Sequence, residues 1–271
     1  NNGLLTESED KNILFSGNLN SGMSGGPALN EHGAVVGVNV ATAGNAVSFL
    51  VASEYLNDLL AQLRLTDFKP RPNLHESIVR QLNFSTTEML QRMRSNPWKL
   101  VSVGNFKVPS RLDKTINCWD GSESNEDHGL VNVISVNCSN EREIYLDDKL
   151  SVGNMQYQYT WYDSDKMIPP RFYRMYEAQN MDETDNKTTK ENVSAFKCST
   201  NFLAIANQTF KMTICRRGYI RYQGLSDVLV TGAMVSQKRQ GFLFELFITG
   251  VDFKESISLV KKMFENFQWQ N

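Results

Sequence analysis

Ser24 lies in a glycine-rich stretch, residues 15–28, that reads FSGNLNSGMSGGPA. A serine hydroxyl is a weak nucleophile at neutral pH, so it needs a general base for its proton and amide donors for the oxyanion that forms on attack. A tight turn around Ser24 would expose its Oγ and let the backbone amides of Gly22 and Ser24 point at one spot. The stretch therefore predicts acyl transfer on Ser24, with those two amides as the oxyanion hole.

The general base is harder to find, because none of the three histidines is well placed to serve Ser24. His32 follows in a polar hairpin, His75 stands at a helix start, and His128 lies in the polar loop SNEDHG. A solvated surface position is the ordinary role for each of them. We therefore assign no triad histidine or aspartate within this chain.

Short β-type runs divided by glycine surround the Ser24 stretch, as in a barrel or sandwich. They cover residues 13–16, 27–30, 34–41 and 47–51. Ser53 is then expected to cap a helix, since leucines recur behind it at helical spacing. The prolines of Lys69-Pro70-Arg71-Pro72 cannot continue that helix and mark a boundary.

This order of elements around GMSGGP resembles the nucleophile loop of trypsin-like, chymotrypsin-fold serine endopeptidases, and in particular their bacterial periplasmic heat-shock branch. The resemblance covers residues 12–65, about a quarter of the chain. It implies the C-terminal half of a double β-barrel, with Ser24 as nucleophile and Gly22 and Ser24 as the oxyanion hole. It also implies that Asn18 lines a neutral specificity pocket and that Val40, Ala41 and Thr42 pair with substrate backbone.

The resemblance has one clear departure. In this family the triad runs His, Asp, Ser along the chain, whereas only 23 residues precede Ser24. Three explanations fit: a chain that has lost the first barrel, one chain of a protease nicked between its barrels, or a non-catalytic descendant. We expect a serine endopeptidase when intact, acting on a protein or peptide substrate, with this chain inactive alone and the N-terminal half of the protease as a candidate second chain. The alternative is a non-catalytic binding protein on a protease-derived scaffold.

The remaining sequence predicts a second domain of α+β class. We divide the chain into a protease-derived part (1–66), a helical linker (67–98) and an antiparallel β-rich accessory domain (99–271). Two short helices are expected in the linker, the first capped by Asn73 with Glu76 and the second opened by a Ser85/Glu88 capping box. Strands follow one another up to residue 248, and in the last of them Phe242, Phe244, Leu246 and Ile248 share one face. Asp252 with Glu255 caps a terminal helix, whose apolar stripe of Ile257, Val260, Phe264 and Phe267 should lie across a sheet.

The four cysteines, Cys118, Cys138, Cys198 and Cys215, form no CxxC pair, which makes a zinc site the weaker interpretation. Each sequential pair flanks a strand–turn–strand stretch, so we favour the local bridges Cys118–Cys138 and Cys198–Cys215 over the other two connectivities. The alternative is four buried thiols in a reducing compartment. Bridges would place the protein in the periplasm or outside the cell, and we expect no metal or cofactor.

Composition excludes several classes of function. The formal charge is -2 and the sequence pI about 6.0, so nothing favours a nucleic acid partner. The longest apolar stretches fall far short of the ~20 residues of a membrane-spanning helix. Arg216, Arg217 and Arg221 lie near two tyrosines, and we interpret them as ordinary surface arginines at a strand end.

Overall fold

The computed structural model describes residues 2–5, 12–44, 47–69, 73–122, 129–140, 142–147, 149–180 and 188–270, with backbone only for 2–5, 12, 41–44 and 47. It divides into two compact units, Asn1–Pro72 and Asn73–Asn271. Strand pairing is antiparallel throughout the described residues, in a mainly β, α+β fold as predicted. No described helix is both long and apolar enough to cross a membrane.

The first unit is an antiparallel sheet followed by a helix. Within its described residues the strand order is β1-β2-β5-β4-β3. The strands are β1 (Asn2–Leu5), β2 (Asn12–Phe15), β3 (Pro27–Leu29), β4 (Val35–Gly44) and β5 (Val47–Ala52). The predicted β-type runs are thus confirmed to within a few residues.

Helix α1 (Ser53–Leu65) follows β5 directly. Its cap position is held by Ala52, without a side-chain hydrogen bond, so the prediction that Ser53 is the N-cap was wrong by one residue. None of the described side chains of α1 is buried, and Leu59 is half exposed. The apolar stripe of α1 is therefore only partly covered.

The second unit begins with α2 (Leu74–Ser95), one helix of 22 residues where two were predicted. Asn73 caps it as expected, because its Oδ1 accepts from the Glu76 amide at 3.1 Å. Ser85 does not open a new helix. The chain runs on through it, and the Thr86 hydroxyl donates back to the Leu82 carbonyl at 2.8 Å. The predicted capping box of Ser85 and Glu88 does not start a helix, because one continuous helical face buries Leu82, Met89, Leu90 and Met93.

The main sheet of this unit has the described strand order β13-β14-β15-β16-β12-β9-β8. Its strands are β8 (Asn117–Asp120), β9 (Asn132–Ser139), β12 (Met155–Asp163), β13 (Lys197–Ile205), β14 (Gln208–Gly218), β15 (Ser226–Met234) and β16 (Gln240–Val251). Smaller described sheets pair β6 (Leu100–Val103) with β7 (Phe106–Pro109) and β17 (Gln268–Trp269), and β10 (Ile144–Asp147) with β11 (Leu150–Val152).

Helices cover both faces of the main sheet, and α3 (Pro169–Gln179) packs on the outer one. On the inner face, α4 (Phe253–Glu265) packs on β15 and β16 and α2 packs on α4 and β16. Phe242, Phe244, Leu246 and Ile248 point into this core, as their alternation in β16 predicted. Phe267 is also buried in this core but lies past the end of α4, so it is not part of the helical stripe predicted for it.

Two disulfides confirm the predicted connectivity. Cys118 pairs with Cys138 and Cys198 with Cys215, and each bridge joins residues directly opposite one another on neighbouring strands. Disulfides persist in oxidising compartments and are rare in the cytosol. The bridges therefore indicate a protein located outside the cytoplasm.

Candidate active-site loop

Ser24 lies between β2 and β3 in two consecutive tight turns. The Met23 amide donates to the Asn20 carbonyl at 3.1 Å, and the Gly26 amide donates to the Met23 carbonyl at 3.1 Å. The third residue of each turn is a glycine with positive φ, +90° at Gly22 and +82° at Gly25. That position of a type II turn favours glycine, which explains the spacing of the two glycines in GMSGG.

Within the loop, only the amides of Met23 and Gly26 donate the hydrogen bonds that close the two turns. The amides of Gly22 and Ser24, on either side of Met23, take no part in them. Neither the Gly22 nor the Ser24 amide is hydrogen-bonded to any described residue. The Ser24 side chain is exposed, and its hydroxyl has no partner in the described part of the chain. The loop thus presents an accessible serine hydroxyl beside two amides that are free to bind an anionic oxygen.

Asn39 in β4 anchors this loop, a role that sequence reasoning missed. Its backbone carbonyl accepts from the Gly25 amide at 2.8 Å, and its amide donates to the Gly26 carbonyl at 2.9 Å. Its buried side chain also donates, through Nδ2, to the Met23 carbonyl at 3.3 Å. A polar residue in the otherwise apolar run AVVGVNV was the available signal, because a buried amide needs a partner.

The predicted substrate-binding strand continues directly from this anchor. Val40, Ala41 and Thr42 lie in β4, which pairs with β5 along one edge. On the other edge the described pairing with β3 ends at Val38. The backbone after Asn39 therefore has one edge without a described strand partner, as pairing with a peptide would require. Asn18 is an exposed residue of the same connection between β2 and β3, with its side chain unpaired among the described residues.

The described histidines make contacts away from Ser24. The exposed His32 side chain lies 3.5 Å from the Glu31 carboxylate, and the His75 ring packs edge-on against Tyr222 with 5.3 Å between centroids. His128 lies outside the described residues. Within the described chain, no imidazole is hydrogen-bonded to the Ser24 hydroxyl.

The second unit holds a buried polar cluster that the sequence did not reveal. Asp227 is fully buried and accepts from Arg217 Nε at 2.7 Å, from the Tyr219 hydroxyl, and from the Gly250 amide at 3.1 Å. Arg217 also lies 4.6 Å above the Phe196 ring, so its interpretation as a surface arginine was wrong. Burial raises the pKa of Asp227 against the opposing effect of its three donors.

The described residues contain no group of histidine, cysteine, aspartate and glutamate side chains that could hold a metal ion. The four cysteines, which supply the softest ligands, are consumed by the disulfides. The arrangement around Ser24 consists of hydroxyl, amide and carbonyl groups, and residues 15–30 include no ionisable side chain.

Comparisons with known proteins leave the family open. No family model matches the sequence, and no curated protein matches it. Among solved structures, LpqN of Mycobacterium tuberculosis, described as involved in cell envelope biogenesis, aligns with 66% of this chain and 95% of its own chain. The two are 11% identical and superpose with a TM-score of 0.31. A TM-score this low does not establish a shared fold.

Proposed function

We propose that this chain carries the nucleophile of a trypsin-like serine endopeptidase, with Ser24 forming the acyl-enzyme and a general base supplied by polypeptide outside this sequence. The single observation that carries the proposal is the pair of amides, Gly22 and Ser24, that bond to no described residue and stand beside an exposed serine hydroxyl in a doubly anchored turn. Preorganised amides of this kind are the largest contributors to catalysis of acyl transfer.

The chemistry follows from this geometry. Ser24 Oγ attacks the carbonyl carbon of the scissile peptide bond while the base takes the hydroxyl proton. The carbonyl oxygen becomes negative and binds the two amides; the C–N bond then breaks, and the base returns the proton to the leaving amine. Water hydrolyses the resulting ester by the same steps and restores the Ser24 hydroxyl.

Substrate recognition in this proposal uses β4. A peptide adds as a strand beyond Asn39, where Val40, Ala41 and Thr42 offer backbone groups on the unpaired edge. Asn18 lines the primary specificity pocket, and the absence of ionisable side chains from residues 15–30 favours small or medium uncharged residues there.

Exposed apolar side chains support a covering partner for the first unit. Leu50 and Ala52 are its buried hydrophobic residues among those described, whereas Leu29, Val40 and Phe68 are exposed by 58%, 42% and 59%. Exposed apolar patches on a folded protein mark interaction sites. We infer that the N-terminal half of the protease, as a second chain or domain, covers this surface and brings the triad histidine and aspartate.

The same proposal specifies where the protein is located and what the second unit does. A proteolytic role outside the cytoplasm places the protein in the periplasm or in the extracellular medium, consistent with its two disulfides. The second unit then serves as an accessory binding domain for the protease.

Labelling with a fluorophosphonate probe, which reacts with activated serines, tests this function. The protein should be isolated from its own cells, so that any accompanying polypeptide is retained. We expect labelling of the wild type and of Ser21→Ala, a matched variant at another exposed serine of the same loop, and loss of labelling in Ser24→Ala.

A wild type that does not react, or labelling that survives Ser24→Ala, would refute the peptidase. The second candidate function, a binding protein on a protease-derived scaffold, is favoured by one observation: no described base contacts the Ser24 hydroxyl. It predicts an unreactive Ser24 in every preparation.

A further inference from the structure

The outer face of the main sheet in the second unit carries a continuous polar row at right angles to the strands. Each residue of the row lies directly opposite the next on a neighbouring strand, from β8 at one edge to β13 at the other. The row consists of Trp119, Asn137, Gln158, Glu245, Thr231, Thr213 and Thr200. On β9, β12, β14, β15 and β16 the residues next to the row along the strand face the inner core, so the row lies on the opposite, outer face of the sheet.

Apolar groups cover this face on either side of the row. On one side, Phe172 and Tyr176 of α3 (Pro169–Gln179) pack on Tyr162 and Ala233. On the other, Phe196 packs with Cys215, Leu229 and Phe247. Between them lies an open groove of about 630 Å³, within the size range of small-ligand sites. Its principal side chains are Trp119, Asn137, Gln156, Gln158, Gln179 and Glu245.

The lining selects for a neutral, polar ligand. Side-chain amides dominate: Asn137, Gln156 and Gln179 each offer both a hydrogen-bond donor and an acceptor. Gln158 Nε2 donates within the sheet to the Ser135 and Thr160 hydroxyls, so Gln158 offers its Oε1 as an acceptor. Among the groove residues that the structure describes, Glu245 is the one carboxylate and none is a lysine or arginine that would attract a phosphate or carboxylate. Trp119 is 48% exposed at one end and presents a flat apolar ring. Mixed donors and acceptors beside an aromatic surface suit sugar rings, which have hydroxyls around the edge and C–H groups on their faces.

A peptide fits this groove less well than a sugar chain. Peptides are commonly held through backbone hydrogen bonds at a free strand edge. Strands β9, β12 and β16 form the floor of the groove and are paired on both sides, and edge strand β8 contributes only Trp119 among the described lining residues, so recognition here depends on side chains. From Trp119 to Glu245 the row crosses three strand spacings, about 14 Å, which exceeds one sugar ring. We propose that this groove binds a neutral oligosaccharide, a site that stands whether or not Ser24 is a nucleophile.

Two features hold the groove in shape. The Cys118–Cys138 bridge joins the residues that adjoin Trp119 and Asn137, so it keeps both in register. Gly121 leaves room for the Asn137 side chain, since a Cβ at Gly121 would come within 2.1 Å of Asn137 Nδ2. A methyl group at position 121 would therefore displace the Asn137 amide without changing any groove residue.

Isothermal titration calorimetry on the full chain tests the proposal, with maltohexaose, cellohexaose and chitohexaose as neutral probes and glucose and N-acetylglucosamine as monomers. We expect at least one hexasaccharide to bind, and more tightly than its monomer. Trp119→Ala, Gln158→Ala and Gly121→Ala should each weaken that binding by about fivefold or more. Thermal melting checks that the variants remain folded.

Matched controls lie outside the groove. Tyr145→Ala removes another exposed aromatic ring, Gln268→Ala another exposed amide, and Gly218→Ala adds a methyl group where nothing lies within 4 Å. All three should bind as the wild type does. Any of three results would overturn the proposal: no neutral hexasaccharide binds at millimolar concentration, hexasaccharide binding is unchanged in both Trp119→Ala and Gln158→Ala, or unfolded casein binds in the groove instead of a hexasaccharide.

Discussion

At the residue scale, the Ser24 loop derives its geometry from two glycines. Gly22 and Gly25 take the third position of successive turns, and the backbone there has a positive φ that costs other residues about 1–2 kcal/mol. No described atom lies within 4 Å of a Cβ built on Gly22, so backbone conformation alone requires glycine at that position. The positive φ of Gly22 therefore sets the direction of its backbone amide.

Gly22→Ala tests that link between backbone and chemistry. Strain at φ +90° should shift the Gly22 amide and slow fluorophosphonate labelling of Ser24 by at least about tenfold, because oxyanion donors act through their position. Gly33→Ala is the matched control, since Gly33 also has a positive φ of +77° and free space around it but lies in the turn after β3. Equal labelling rates in the two variants would show that the Gly22 amide is not an oxyanion donor.

Asp227 is expected to make the free energy of unfolding depend on pH. Burial raises its folded-state pKa above the unfolded value, so the folded protein binds the proton more tightly than the unfolded chain does. The contribution of Asp227 to stability is therefore lowest when it is ionised and increases as pH falls from the folded pKa towards the unfolded one. This is opposite in sign to an exposed carboxylate in an ion pair.

The non-titrating variant Asp227→Asn provides the reference for this pH effect. Its side chain at position 227 carries no charge at any pH, so its free energy of unfolding has no pH-dependent contribution from that position. Urea unfolding between neutral and acidic pH should show the wild type gaining stability relative to the variant on acidification. A relative loss on acidification would mean that Arg217 lowers the pKa of Asp227 more than burial raises it.

At the scale of elements, the sequence predicted the features that have a local pattern and missed those that tertiary packing decides. The alternation in β16 and the capping of α4 by Asp252, which accepts from the Glu255 amide at 3.0 Å, were readable from the sequence. Helix α3 was not predicted, although Pro169 and Pro170 at its first positions are a start signal, because its buried apolar residues are few. The division of α2 was wrong because the capping residues at 85–88 are locally plausible, whereas burial of one long face is a tertiary effect.

The prediction at this scale concerns how much each disulfide stabilises the protein. Each closes a short loop, with sequence separations of 20 and 17 residues, and loops of this size correspond to about 3 kcal/mol of stabilisation. Each bridge has one buried cysteine, Cys138 or Cys215, but the partner cysteine is half-buried at Cys118 and exposed at Cys198 on edge strand β13. We expect Cys118→Ala/Cys138→Ala to destabilise the chain more than Cys198→Ala/Cys215→Ala in urea unfolding, because the first pair leaves the larger cavity. The reverse order would show that β13 depends on its bridge more than β8 does.

At the scale of the whole molecule, the sequence predicted the fold class, the disulfide pairing and most strands, and it predicted less of the candidate site. The GMSGGP spacing identified the turns, because positive φ is a local requirement. Asn39, whose side chain anchors the loop at Met23 from 16 residues away, is set by strand pairing and has no local signature. The polar row of the second unit was equally invisible, since it joins residues from seven strands through sheet register.

The central claim is that Ser24 and the amides of Gly22 and Ser24 form one catalytic unit. It is tested most directly by a crystal structure of the protein isolated from its own cells after reaction with a fluorophosphonate. We predict a covalent bond from phosphorus to Ser24 Oγ, with the phosphonyl oxygen hydrogen-bonded to both amides at about 2.7–3.1 Å. An adduct on another residue, or one on Ser24 whose oxygen points away from the two amides, would contradict the claim.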